Sequence, residues 1–128
     1  MSDAVLDSSA LLALLNSEPG EDVVAQAISR GAAIGAVNLA EVIAKLAEVG
    51  LPEAAIHGAL DPLGLTLVDF DADLAYRAGL LRPLTRSAGL SLGDRVCLAL
   101  AQRLSLPAIT ADRNWASLAL GITVTLIR

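Results

Sequence analysis

Four carboxylates stand where a short apolar run hands over to a helical one, or just beyond such a run. Asp7 follows Ala4-Val5-Leu6, and Glu41 lies in the first turn of a helix that follows residues 32–37. Asp94 lies in the first turn of a helix beginning at Ser91, and Asp112 comes just after residues 107–110. Gathered in one cleft, four ionised carboxylates repel one another and raise their own pKa values. A hard divalent cation removes that penalty. Mg²⁺ prefers oxygen ligands, keeps several waters and takes few direct carboxylates. Such a cation lowers the pKa of a bound water and stabilises charge building on a phosphate. Each acid also has a simpler reading. Asp7 can cap the helix starting at Ser8. Asn38-x-x-Glu41 and Ser91-x-x-Asp94 both fit a helix-starting box, and Glu41 can pair with Lys45 one turn on. Asp112 can be an ordinary turn residue. The two readings are compatible, and spacing does not choose between them.

The elements that must position these residues follow from hydrophobic periodicity. Apolar runs at 4–6, 32–37, 65–68, 107–110 and 122–127 predict five short strands. Helical spacing predicts helices over 8–16, 21–30, 38–49, 52–60, 71–81 and 91–104, with Pro83 ending or kinking the fifth. Short apolar strands alternating with helices imply an α/β single domain over residues 1–128, a parallel sheet with helices on both faces. In such sheets function gathers beyond the carboxyl ends of the strands.

Composition narrows the classes. The chain has 128 residues, the size of one domain, with 55% hydrophobic residues and only 2% aromatic, so the core must be aliphatic. Net charge is −5, which excludes a protein that holds nucleic acid by a general basic surface unless bound cations offset the acid locally. The mean hydropathy of +0.63 points to surplus apolar surface for a partner. No apolar stretch approaches the roughly 20 residues that a membrane span needs. Met1-Ser2-Asp3-Ala4 has no basic lead, so no secretory signal is expected. Cys97 is the sole cysteine, in an apolar helix run, which suits a buried thiol in a reducing cytoplasm.

Four segments, in order and spanning nearly the whole chain, resemble the motifs of PIN-domain toxins of the VapC type, from bacterial toxin–antitoxin pairs. They are Val5-Leu6-Asp7-Ser8-Ser9-Ala10-Leu11-Leu12, Asn38-Leu39-Ala40-Glu41-Val42, the long run from Gly89-Leu90-Ser91-Leu92-Gly93-Asp94 to Ala101, and Thr110-Ala111-Asp112-Arg113-Asn114-Trp115. The third is the most specific. The resemblance implies a PIN fold with a sheet of about five strands, and Asp7, Glu41, Asp94 and Asp112 as acids binding Mg²⁺ or Mn²⁺. Ser8 and Thr110 match small polar positions that support the site by hydrogen bonds. Asn38 matches a polar position near Glu41 and is read first as a cap. The resemblance further implies RNA cleavage leaving a 5′-phosphate and a 3′-hydroxyl, a homodimer, and inhibition by a cognate antitoxin.

On this reading Asp7 and Asp94 supply the main metal contacts, and Glu41 and Asp112 hold waters or a second ion. Ser8 and Ser9 are expected to have no base beside them, and His57 to be a surface or packing residue. Arg86, Arg95 and Arg113 are expected to contact RNA phosphates, whereas Arg77 and Arg103 read as solvated helix surface. Trp115 is expected to pack beside the fourth motif. The competing classes are a PIN-fold binding module without catalysis, a DNA-directed or structure-specific nuclease, and a phosphoacceptor signalling domain. The last wants an adjacent acid pair and a lysine after a late strand. Here serines follow Asp7, and the sole lysine, Lys45, sits in a helix.

Overall fold

A computed structural model describes residues 2–128. Five parallel strands, β1 (Ala4–Leu6), β2 (Ala32–Gly35), β3 (Thr66–Val68), β4 (Ala108–Thr110) and β5 (Val124–Leu126), form one sheet in the order β3-β2-β1-β4-β5. The register sets Val5 beside Ala33 and Ala108, and Leu6 beside Ile34 and Ile109. β1 is therefore central. The chain builds outward to β2 and β3 on one side and to β4 and β5 on the other, so the switch point of the sheet lies between β1 and β4. Seven helices connect the strands: α1 (Ser8–Leu15), α2 (Glu21–Arg30), α3 (Ala36–Glu48), α4 (Glu53–Leu60), α5 (Ala72–Leu80), the short α6 (Arg82–Thr85) and α7 (Leu92–Leu104).

Side chains alternate across a strand, so neighbouring residues enter opposite layers. Val5, Ala33 and Ala108 pack with Leu74 and Ala78 of α5 and with Val96 through Ala101 of α7. Ala4, Leu6, Ala32 and Ile109 pack with Ala10 and Ala13 of α1 and with Val24 and Ala27 of α2. Leu11, Ile34, Val42, Leu46 and Ile56 join α1, β2, α3 and α4 in a third cluster. Small residues in the strands let the helices approach closely. Trp115 is buried within the α5–α7 layer, beside the fourth motif as expected.

Element boundaries depart from the sequence reading at two places that matter. Residues 32–37 read as a strand, but β2 ends at Gly35 and α3 begins at Ala36. A continuous apolar run does not distinguish strand from helix by periodicity. Asn38 consequently lies inside the first turn and does not cap the helix. The cap position is Gly35, which offers no side-chain bond. The last strand is shorter than its apolar run, three residues of the six expected. Pro83 acts as predicted: α5 ends at Leu80 and a single turn, α6, follows. No helix among the described residues is long and apolar enough to cross a membrane.

The α7 core face carries the largest single packing load. Leu98 is fully buried there. Leu98→Ala is expected to lower unfolding free energy by about 2–5 kcal/mol, read from urea denaturation with an unchanged m-value.

Candidate active site

The site grows from the ends of β1 and β4. Asp7, only 4% exposed, ends β1 and caps α1, accepting from the Ala10 backbone N–H at 2.8 Å. Its carboxylate also accepts from Thr110 Oγ1 at 2.6 Å and from Ser9 Oγ at 2.8 and 2.9 Å. Thr110 Oγ1 in turn accepts from the Asp112 N–H at 3.0 Å, and Ser9 Oγ from the Ala111 N–H at 2.9 Å. Two hydroxyls thus tie the first acid to the backbone that carries the fourth. Asp112 Oδ1 accepts from the Asn114 N–H at 2.9 Å, so its turn role is also real.

Glu41 is held from the opposite side. Ser8 Oγ donates to its Oε1 at 2.5 Å, and Asn38 Nδ2 donates to the same oxygen at 3.2 Å. The Asn38 amide is 1% exposed and also donates to the Gly93 carbonyl at 3.0 Å. Asn38 therefore joins the second motif to the third by tertiary bonds, which corrects its reading as a cap. Gly93 is buried, and a Cβ built on it would lie 2.5 Å from both Glu41 carboxylate oxygens. The Glu41 carboxylate rests on the first turn of α7 because residue 93 has no side chain. Asp94 closes the capping box with Ser91. Its Oδ2 accepts from the Ser91 N–H at 2.9 Å, while Ser91 Oγ accepts from the Asp94 N–H at 3.2 Å.

The four acids act on one another through Asp94. Burial pushes the Asp7 carboxyl up to about 6, its hydrogen bonds from Thr110, Ala10 and Ser9 oppose this, and the Asp94 charge adds to the rise. Asp94 is also raised, first by burial and then, against its Ser91 bonds, by the charges of Asp112 and Glu41. Burial drives the Cys97 thiol well above its ordinary value, with Asp7, Asp94 and Glu41 adding to the effect, so Cys97 is an inert core residue. Among the described residues, no three or more His, Cys, Asp or Glu side chains stand close enough together to hold a metal ion as they are placed. The carboxylates are instead turned into hydrogen bonds with their own helix starts and hydroxyls. The donor set still fits a hard cation. Every ligand atom is oxygen, and the most buried acid is costly to ionise without a nearby positive charge.

Other expected residues fall elsewhere. Each serine has a carboxylate beside it, and both hydroxyls donate and serve to hold Glu41 and Asp7. His57 is exposed between Glu53 and Asp61 on α4. Arg77 bonds Asp73, and Arg103 bonds Asp71 and Asp73, matching their reading as surface. Arg95 is half-buried and donates to the Ala78 carbonyl at 2.9 Å, tying α7 to α5. Arg86 and Arg113 are exposed. Sequence reasoning gave no role to Ser9 or Gly93. The signal for Gly93 was available, since glycine inside a first helical turn costs up to about 1 kcal/mol relative to alanine and needs a reason.

Two outcomes follow. Gly93→Ala removes a poor helix former, so the fold is expected to persist, while the Glu41 carboxylate is driven off α7. A crystal structure of the variant will show that carboxylate displaced from its Ser8 and Asn38 donors. Asp7 has a carboxyl raised in the folded state, so in metal-free protein it favours folding below about pH 4. That contribution is lost as pH rises through about 6, and amounts to about 3 kcal/mol by pH 8. In chelator, wild-type stability is expected to fall across pH 4–8. Asp7→Asn, whose hydroxyl neighbours can rotate to accept, flattens that slope in urea titrations.

The fold and this geometry can be set beside known proteins. The family model of the PIN domain matches residues 4–120. No curated protein matches the sequence closely enough to count as a relative. Among solved structures, a toxin-antitoxin complex from Klebsiella pneumoniae contains a similar chain, 24% identical, with 98% of each chain covered and a TM-score of 0.73. DNA-bound VapBC from Salmonella typhimurium aligns over 100% of both chains at 20% identity, with a TM-score of 0.76. FitAcB from Neisseria gonorrhoeae aligns over 97% of both at 24% identity, with a TM-score of 0.73. With a family match over more than nine-tenths of its length, this chain belongs to the PIN domain family.

Proposed function

We propose that this protein is a metal-dependent endoribonuclease, the toxin of a toxin–antitoxin pair, acting in the cytoplasm. The observation that carries the reading is the electrostatic arrangement of the site. Asp94 lies within charge-interaction range of Asp7, Glu41 and Asp112, inside a PIN fold. Asp7 and Asp94 would hold Mg²⁺ or Mn²⁺, with Glu41 and Asp112 beside them. When bound, that ion supplies positive charge for the phosphate and a lowered pKa for water.

The protein's own groups do the rest. Thr110, Ser9 and the Ala10 N–H hold the Asp7 carboxylate in one orientation, and an ion meeting Asp7 would take the place of some of these donors. Ser8 and Asn38 fix Glu41, which stands with Asp112 to orient the attacking water and take its proton. Attack in line on an RNA phosphodiester then breaks the bond to the 3′ oxygen, which takes a proton from water, leaving a 5′-phosphate and a 3′-hydroxyl with no covalent enzyme intermediate. Arg86 and Arg113 are free to meet RNA phosphates. Arg95 commits one guanidinium nitrogen to Ala78 and buries its Nε, which leaves it less suited to that role than Arg86 and Arg113.

Two apolar surfaces support the proposed protein partners. A cavity of about 610 Å³ between α3, α4 and β3 is lined by Leu39, Ile43, Ile56, Leu60 and Leu67. It lies away from the acids, and we assign it to an apolar segment of the antitoxin. Tyr76, Leu80 and Leu84 stand exposed at four-residue spacing on α5 and α6, and a second copy of the chain would cover them.

Purified protein is expected to cut single-stranded and structured RNA in Mg²⁺ or Mn²⁺, to stop in chelator, and to leave DNA intact. Asp94→Asn should lower kcat by more than about 100-fold. Cleavage by Asp94→Asn at the wild-type rate would remove the site assignment, and equal cutting of DNA would remove the RNA assignment.

A further inference from the structure

A second cavity opens on the other side of α3. It measures about 310 Å³ and lies between α1, α3 and the last residue. Ser9, Leu12 and Asn16 supply its α1 wall, Lys45 stands on α3, and Arg128 and Glu18 close the far end. Ser9 is also the residue whose hydroxyl holds Asp7, so the trough starts at the acid cluster. Lys45 lies one turn beyond Glu41 on the same row of α3, about 6 Å along the axis.

The charges in this trough are unusual for the chain. Lys45 is its only lysine, is exposed, and makes no ion pair with Glu41 or any other described residue. Arg128 offsets Glu18 with one nitrogen, at 3.3 Å, and gives the same nitrogen to the Pro19 carbonyl at 2.9 Å. Its other guanidinium nitrogens make no hydrogen bond among the described residues. An RNA strand bound at the acid cluster must leave it on two sides. Arg113 stands on the β4 side, beside Asp112. On the α1–α3 side, Lys45 is the cation that follows Glu41 along the helix.

We propose that the α1–α3 trough is a binding subsite for the RNA strand flanking the scissile phosphate, with Lys45 contacting a backbone phosphate there. This rests on the ribonuclease reading above. Phosphate contact, rather than base stacking, is the chemistry available: beside the apolar Leu12, Leu46 and Val49 and the Glu18 that Arg128 offsets, the trough offers hydroxyl, amide and cationic groups and no aromatic ring. Lys45 touches none of the acids' hydrogen bonds, so its replacement changes substrate binding and leaves the chemistry in place.

The test is steady-state cleavage of a single-stranded RNA oligonucleotide by the full chain in Mn²⁺, comparing wild type with Lys45→Ala, Lys45→Glu and Lys45→Arg across a salt series. Expected is a KM raised about 3–10-fold by Lys45→Ala and more by Lys45→Glu, with kcat held within twofold and thermal midpoints unchanged. Lys45→Arg should restore KM. The slope of log KM against log salt should shrink by about 0.7 in Lys45→Ala, the value for one lost contact to a single strand. Wild-type cleavage with an unchanged KM and salt slope in Lys45→Ala and Lys45→Glu overturns the subsite alone. A fall in kcat at constant KM also overturns it. No cleavage of RNA by wild type in Mg²⁺ or Mn²⁺ overturns the ribonuclease reading, and the subsite with it.

Discussion

Like-charge repulsion among four carboxylates at the switch point of a parallel sheet is the constraint to which the local structure answers. Each acid is held in place by a hydrogen bond that a helix start or a neighbouring hydroxyl provides. Asp7 caps α1, Asp94 completes the box that begins α7, and Asp112 accepts from the turn that follows it. Helix N-termini carry partial positive charge and free N–H groups, so they are suitable places to hold anionic side chains together. Burial first, and the neighbouring charges after it, leave the carboxyls of Asp7 and Asp94 raised. The capping and metal-binding readings of these acids are thus two uses of one geometry.

The bonds that cross between motifs give the site its rigidity. Thr110 and Ser9 connect the ends of β1 and β4. Asn38 and Ser8 connect α3 to α1 and to the first turn of α7. These partners are nearly all buried or half-buried, where a satisfied polar network fixes orientation more firmly than exposed pairs do. Gly93 acts by what it lacks, leaving space for the Glu41 carboxylate against the helix. Within this network Asn38 Oδ1 is buried without a hydrogen-bond partner. The amide's orientation is nonetheless fixed, because the two N–H donors of its nitrogen are shared among Ser8, Glu41 and Gly93.

Much of the fold was legible in the sequence because its strongest signals are local. Alternating short apolar runs and helices gave the α/β class, Ser91-x-x-Asp94 marked the start of α7, and Pro83 marked the break after α5. What escaped depended on tertiary packing. The end of β2 could not be placed within an apolar run that suits either a strand or a helix, so Asn38 was read as a cap rather than a cross-motif donor. Arg95 read as a surface cation, yet its guanidinium reaches back to the Ala78 carbonyl across the α5–α7 contact. The choice of acids came from residue type, position and family resemblance together. The hydroxyl bonds that orient those acids required coordinates.

The central claim is that Asp7 and Asp94, with Glu41 and Asp112 around them, form one divalent-cation site. Crystals grown in Mn²⁺ and recorded at a wavelength where manganese scatters anomalously test it directly. The account predicts an anomalous peak bounded by the Asp7 and Asp94 carboxylates, lost on addition of chelator. A map with no peak there, or with manganese bound only at other surface acids, would contradict it.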